Sequence, residues 1–269
     1  MEINENLILH ILQLALNAGK AIIKIYNTPF NVEFKTDNSP LTIADKTAHS
    51  IIFEGLSVTG LPVLSEEGEQ TDYTVRKNWT QYWLVDPLDG TKEFIGRNGE
   101  FTVNIALISE RQPILGIVYA PVQGLLYWGS QAGSFRLDVA KHGIEIINLA
   151  DTRNLAEKLP LTKQPHAYLV LGSRSHMNAE THEFIETLRL LHPDLALSNR
   201  GSSLKFCTLA EGSADIYPRF GPTMEWDTAA GHAVACFAGC TIEQALTGLP
   251  LLYNKPDLLN PHFIAWQKK

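Results

Sequence analysis

Apolar residues at Leu7, Ile11, Leu14, Ala18, Ile22 and Ile25 recur at three- and four-residue steps. That period places them on one face of a helix and predicts an amphipathic helix over residues 4–26. Asn27, Thr28 and Pro29 end it, and residues 32–36 read as a short strand. Thr42 and Asp45 stand at capping-box spacing, with Asp where Glu or Gln is usual, ahead of a helix over 46–56. Residues 61–64 form a short apolar strand feeding an acidic loop, Ser65-Glu66-Glu67-Gly68-Glu69. Tyr82, Trp83, Leu84 and Val85 read as a buried strand that Pro87 and Gly90 stop at once. A short helical stretch through Phe94 and Ile95 and the turn Gly96-Arg97-Asn98-Gly99 follow. Strand-like runs at 101–108, 114–119, 125–128, 134–137 and 144–148, about ten residues apart, predict an antiparallel meander.

Polar residues with Pro160 and Pro165 interrupt this pattern and predict a boundary between residues 151 and 165, dividing the chain into 1–155 and 156–269. Beyond it the pattern alternates: strand 168–171, helix 179–191, strand 195–198, helix 203–211, strand 214–217, helix 227–237, then short strands near Cys240 and over 262–266. Such alternation predicts an open mixed sheet with flanking helices, and an α/β (α+β) class for the whole chain. There is no internal repeat or low-complexity tract.

Composition narrows the functional classes. The 269 residues, 45% hydrophobic and 19% charged, are ordinary for a globular enzyme with a sizeable core. A net charge of -7, from 22 basic and 29 acidic residues, argues against a binder of DNA or RNA. An anionic substrate must then be drawn by a local field or by bound metal. Cys207, Cys236 and Cys240 make neither a disulfide framework nor a zinc set; Cys236 and Cys240, four apart on an apolar helical run, read as core. Glu2 and Glu5 stand where a signal peptide would be basic, and no apolar run reaches the length of a membrane span, so the expected address is cytoplasmic.

The chemistry concentrates in Asp86-Pro87-Leu88-Asp89-Gly90-Thr91. Two carboxylates three apart around a tight turn repel each other unless a cation or a proton offsets the repulsion. An ordinary Asp-Gly turn capping the next helix is the alternative. Asp45 reads as a helix cap, Glu66 and Glu67 as a solvated acidic loop or a further carboxylate source, and Asp227 as the N-cap of a small-residue helix. The starts of the helices after Gly90 and at Asp227 have free N–H groups suited to phosphate, and no P-loop motif occurs.

Asp-Pro-Leu-Asp-Gly-Thr, together with Leu64-Ser65-Glu66-Glu67 and Glu225-Trp226-Asp227-Thr228-Ala229-Ala230-Gly231, resembles the motifs of the inositol monophosphatase superfamily of magnesium-dependent, lithium-sensitive phosphomonoesterases. Ser39-Pro40-Leu41-Thr42-Ile43-Ala44-Asp45 matches a further segment of its pattern. Thr91-Lys92-Glu93-Phe94, Gly201-Ser202-Ser203-Leu204-Lys205-Phe206-Cys207 and Tyr217-Pro218-Arg219-Phe220 resemble its bacterial 3'(2'),5'-bisphosphate nucleotidases of the CysQ type.

The resemblance implies a layered αβαβα sandwich with an antiparallel N-terminal sheet, a smaller mixed C-terminal sheet and a site between the halves. It implies Glu66, Asp86, the Leu88 carbonyl, Asp89 and Asp227 as ligands of two or three Mg2+ ions, with Mn2+ as substitute; an all-oxygen set suits these better than zinc. Glu66, Thr91 and Asp45 would position and activate the attacking water in an in-line displacement. Gly90 and Thr91 would cradle the phosphate with Glu66, Leu88, Asp89 and Asp227, while His176, Ser202, Lys205 and Arg219 would receive the nucleotide and its second phosphate. His176 as a turn residue, Lys205 as a solvated helix position and Arg219 as a surface ion pair are the structural alternatives. The implied reaction is hydrolysis of the 3'-phosphate of adenosine 3',5'-bisphosphate, and of its 5'-phosphosulfate analogue, in support of sulfur assimilation. The rival readings are an inositol monophosphatase or fructose-1,6-bisphosphatase, and a metal-binding regulatory protein without turnover. Peripheral contact with the inner membrane, and a monomeric or homodimeric state, are open at this point.

Overall fold

The computed structural model describes residues 1–34, 40–142, 149–161, 167–173 and 177–268. The chain opens with α1 (Glu5–Tyr26), the short antiparallel strands β1 (Val32–Phe34) and β2 (Pro40–Thr42), and α2 (Ile43–Ser57). Next come β3 (Val63–Ser65), α3 (Tyr73–Arg76), β4 (Gln81–Asp89), α4 (Thr91–Ile95), β5 (Thr102–Ser109), β6 (Gln112–Ala120), β7 (Leu125–Ser130) and β8 (Gly133–Asp138). After α5 (Val139–His142), α6 (Leu149–Leu155) and β9 (Glu157–Lys158), the second half runs β10 (Leu169–Ser173), α7 (Ala179–Leu191), β11 (Ala196–Arg200), α8 (Leu204–Ala210), β12 (Ile216–Arg219), α9 (Glu225–Phe237), β13 (Cys240–Gln244) and β14 (Phe263–Gln267). The expected strand at 144–148 lies outside the described residues.

Strands β3 to β9 form one seven-stranded sheet in sequence order, antiparallel except that β3 pairs parallel with β4. Strands β11-β10-β12-β14-β13 form a mixed five-stranded sheet. Strand alternation sorts the core into layers. On the first sheet Trp83, Val85, Val103 and Ile105 face α1 and α2, whereas Tyr82, Leu84, Ala106 and Val118 face α9. In the second sheet Leu171, Tyr217, Phe263 and Ala265 join that middle layer, whereas Val170, Ile216, Ile264 and Trp266 pack with Ile185 of α7. The result is the expected αβαβα stack. Because both faces of β4 are covered, its run from Tyr82 to Val85 is continuously apolar rather than alternating.

Three expectations need correction. Strand β4 does not stop at Val85 but runs to Asp89, with the ladder to β5 irregular between Asp86 and Asp89, because Pro87 has no N–H to give. Cys236 and Cys240 do not share a helix: α9 ends at Phe237 and Cys240 opens β13. Helix α1 is long and apolar enough to cross a membrane by length and composition, contrary to the expectation of no such segment. Its Ile8, Ile11, Leu12, Leu16 and Ile22 are spent on the protein core.

Helix α9 lies close against the first sheet because its inward residues are small. A Cβ on Gly116 of β6 would come within 2.3 Å of the Ala230 carbonyl oxygen. Glycine there lets the helix backbone approach, and so sets the depth at which the start of α9 meets the end of β4.

Candidate active site

The carboxylates come from places where regular structure ends. Parallel pairing sets Ser65 beside Val85, and the Glu66 N–H continues the ladder by donating to the Val85 carbonyl at 3.1 Å. Glu66 and Asp86 therefore emerge together at one end of the sheet. The Asp86 Oδ1 accepts the Leu88 N–H at 3.0 Å, which folds the chain back around Pro87. Gly90 then takes φ 96°, a left-handed conformation natural to glycine, and starts α4 at Thr91.

Helix α9 supplies the third carboxylate. Asp227 is not its N-cap, as the sequence suggested; the cap is Met224, and Asp227 sits one turn in, where its Oδ2 accepts the Met224 N–H at 2.9 Å. The helix begins earlier because Glu225 and Trp226 are themselves helical and buried.

Carboxylate oxygens of Glu66, Asp86 and Asp227 lie within 4.8 Å of one another. Two negative charges at that separation repel by about 3–4 kcal/mol at an effective dielectric of about 20. Burial, then the charges of Glu66, Asp89 and Asp227, hold Asp86 well above the ordinary carboxylate range. Burial, then Asp89 and Glu66, do the same to Asp227. Asp89 is raised by burial too, while Lys205, Asn104 and the Ser203 N–H pull it down. Carboxyls raised by burial and by one another's charge are relieved by a cation as well as by a proton. Among the described residues no His or Cys joins the cluster, so the donor set fits a hard divalent ion.

Beside the cluster, the Thr91 Oγ1 donates to Asp45 Oδ1 at 3.2 Å and lies 3.4 Å from the Leu88 carbonyl. The other Asp45 oxygen, Oδ2, accepts both the Thr42 N–H at 2.7 Å and the Thr42 hydroxyl at 2.6 Å. Asp45 is thus helix cap and Thr91 partner at once, one oxygen for each. Burial holds its carboxyl above the usual range against these hydrogen bonds.

The groups expected to meet substrate are already occupied in part. Ser202, at φ 49°, places its hydroxyl 2.8 Å from the carbonyls of both Asp89 and Glu100. The buried Lys205 ammonium donates to the carbonyls of Arg200 at 3.1 Å and Ser202 at 2.7 Å, and burial lowers its pKa to about 8. Lys205 is therefore not a solvated helix position. Arg219 is buried as well and donates to the Pro222 carbonyl at 2.6 Å; its Nε–H is buried with no hydrogen-bond partner among the described residues. His176 lies outside the described residues. Asn104 belongs to no motif above, yet its amide touches Asp89 at 3.2 Å and Ser203 Oγ at 2.9 Å. The available signal was a lone amide within the apolar run of β5, a position that must find polar partners when both faces are covered.

Comparison with known proteins agrees with this geometry. The model of the inositol monophosphatase family matches residues 3–269. The 3'(2'),5'-bisphosphate nucleotidase CysQ of Escherichia coli (strain K12) is 47% identical over 256 residues, spanning 93% of this chain and 96% of that protein. Its Haemophilus influenzae namesake is 32% identical over 269 residues, covering 98% of this chain and 94% of its own. The crystal structure of CysQ from Bacteroides thetaiotaomicron, a bacterial member of the inositol monophosphatase family, superposes with a TM-score of 0.88 at 48% identity, over 98% of this chain and 97% of that one. A motif-bearing turn, a carboxylate cluster and a full-length match in both sequence and fold lead to one assignment: the chain belongs to the inositol monophosphatase family.

Proposed function

We propose that the protein is a magnesium-dependent 3'(2'),5'-bisphosphate nucleotidase that removes the 3'-phosphate from adenosine 3',5'-bisphosphate, leaving AMP and inorganic phosphate. The analogue carrying a 5'-phosphosulfate is a second substrate, and clearing these compounds supports sulfur assimilation. The carboxylate trio of Glu66, Asp86 and Asp227 carries the reading, since it supplies the chemistry that the nucleotidases similar to this chain are named for.

Glu66, Asp86, Asp89, Asp227 and the Leu88 carbonyl would hold two or three Mg2+ ions, with residues 1–155 supplying all but one of the ligands. Bound there, the ions supply Lewis-acid polarisation of the phosphate and a nucleophile at neutral pH. The Thr91 proton is given to Asp45 Oδ1, so the Thr91 oxygen is left to accept a hydrogen bond from the attacking water and to fix its line of approach. Asp45, whose carboxyl burial pushes up, would take the proton that Thr91 relays. The N–H groups of Gly90 and Thr91, at the start of α4, would receive the transferred phosphoryl. The Arg219 Nε–H without a partner, with His176 and the turn at Ser202 that Lys205 supports, favours an anionic second group on the substrate. Three free cysteines suit a reducing compartment, and we infer a cytoplasmic enzyme.

Phosphate release by the purified protein tests the reading, with adenosine 3',5'-bisphosphate, inositol 1-phosphate and fructose 1,6-bisphosphate compared in magnesium, in EDTA and with lithium. Preference for the nucleotide, lost in EDTA, is expected. Preference for inositol or sugar phosphate would keep the metal site and overturn the substrate. No turnover from a folded, magnesium-binding protein would leave a regulatory protein.

A further inference from the structure

Asp89 lies outside the 4.8 Å trio of Glu66, Asp86 and Asp227, although its charge is felt by Asp86 and Asp227, and its two oxygens are treated differently. Its Oδ2 accepts the Ser203 N–H at 2.7 Å and the Asn104 Nδ2–H at 3.2 Å, whereas Oδ1 has no hydrogen bond among the described residues. Asn104, on β5 opposite Asp86, is 1% exposed and every polar proton and acceptor of its side chain is engaged. Its second Nδ2–H goes to Ser203 Oγ at 2.9 Å and its Oδ1 accepts the Thr102 hydroxyl at 3.0 Å. The Ser203 hydroxyl passes the chain on to the Asp227 carbonyl at 2.8 Å. The order of donors is forced: a reversed Asn104 amide would set oxygen against the Asp89 carboxylate.

We propose that Asn104, oriented by Thr102 and acting with Ser203, is a positioning residue that ties up one oxygen of Asp89 and presents the other alone to the metal. The inference rests on the proposed reading of Asp89 as a ligand and adds how that ligand is aimed. It explains a consequence that charge alone would miss. In Asp89→Asn the amide oxygen is claimed by the Ser203 and Asn104 donors, so the amide N–H groups would turn toward the cation. The same chain reaches the first turn of α9 through the Asp227 carbonyl, so Asn104 joins the ligands of the two halves.

Magnesium titrations followed by thermal shift, with kcat read in parallel, test this on wild type, Asn104→Leu and Thr102→Val. Leucine keeps the branched outline of Asn104 and removes its donors; valine keeps the shape of Thr102 and leaves the Asn104 Oδ1 without its donor, which loosens the amide. Asn104→Leu is expected to weaken Mg2+ binding roughly ten- to a hundredfold, and Thr102→Val roughly two- to tenfold. In both, kcat should recover toward wild type at saturating Mg2+, while an effect on core stability alone would lower melting in EDTA without moving the magnesium midpoint. An unshifted midpoint in both variants overturns the proposal, and if Asn104→Leu does not fold, Thr102→Val decides alone. Failure of the underlying reading is distinguishable, because the wild type itself would then show no magnesium shift.

Discussion

Glu225 and Asp227 stand two residues apart in the first turn of α9 and have opposite surroundings. Glu225, 0% exposed, receives the Lys255 ammonium at 2.6 Å and the N–H groups of Asn254 at 2.7 Å and Lys255 at 2.9 Å. Arg76, before β4, holds the Asn254 side chain from both ends. Asp227 instead meets Glu66 and Asp86. The buried Glu225 is ion-paired within the protein; the half-buried Asp227 faces Asp89 and Glu66, and Arg219 offsets them only in part. Burial of a carboxylate is therefore no mark of function by itself, whereas a group of carboxylates whose mutual repulsion outweighs the nearby cations is. The largest effects should separate the two. Asp86→Asn is expected to lower kcat on the order of a thousandfold while melting in EDTA stays at or above wild type. Glu225→Ala should cost about 3–5 kcal/mol of stability by stranding Lys255, with the magnesium dependence of the folded fraction retained. Calorimetry in EDTA beside phosphate release checks both, and a severely destabilised Asp86→Asn would erase the distinction.

The same contrast has a pH dependence. In the folded protein without metal, Asp86, Asp89 and Asp227 have pKa values above those of the unfolded chain. The folded state then binds protons that the unfolded state has released, so their contribution is fully present below the unfolded carboxylate pKa and is lost as pH rises through the raised values. A divalent cation held by these carboxylates would take the place of those protons. The melting-temperature gap between magnesium and EDTA should accordingly widen from acid toward neutral pH, reaching about 2.7 kcal/mol of stabilisation at a hundredfold excess over Kd. A gap that is constant across this range would mean the carboxyls are relieved in some other way.

Asp45 lies between these cases, since one oxygen serves structure and the other Thr91. Removing each partner should separate the roles. Thr91→Ala is expected to lower kcat on the order of a hundredfold with little change in melting, and Thr42→Ala to cost about 1 kcal/mol through the lost cap with kcat within a few-fold. If Thr42→Ala proved the more damaging to turnover, the cap would be the catalytic half.

How much of this was legible follows the range of each interaction. The helical period of α1 and the meander from β5 to β8 are local patterns, and the structure places them as read, whereas β4 runs on through Asp86 to Asp89 before the chain turns at Gly90. The motif resemblance named the cluster because its spacing is rare. Glu225 looked like any acidic neighbour of Asp227, because its partners lie near residue 255 and only folding brings them close. Asn104 showed only as a lone amide in an apolar run for the same reason, since its partner Ser203 is 99 residues away. Lys205 was legible as a basic residue near the site, but not as the support of the Ser202 turn, since that needs the left-handed conformation at Ser202.

The smallest effect sharpens the comparison by holding chemistry constant and changing only the solvent. Lys46 and Glu33 form an ion pair at 2.6 Å, the same distance as Lys255 and Glu225, but their side chains are 48% and 66% exposed. In water, little desolvation has to be offset and little attraction is left, so Glu33→Gln should change stability by no more than about 0.2–1 kcal/mol, and less at high salt. Lys46 sits on α2 one residue after Asp45, so the variant also asks whether a charge beside the Thr91 partner is felt at the site. Screening across exposed surface predicts that it is not: the magnesium midpoint and kcat should match wild type. Thermal melts at low and high salt, with a magnesium titration, would show it. A shifted midpoint would mean that the field at the cluster reaches beyond the groups that touch it, and that the two acids of α9 differ by more than their nearest neighbours.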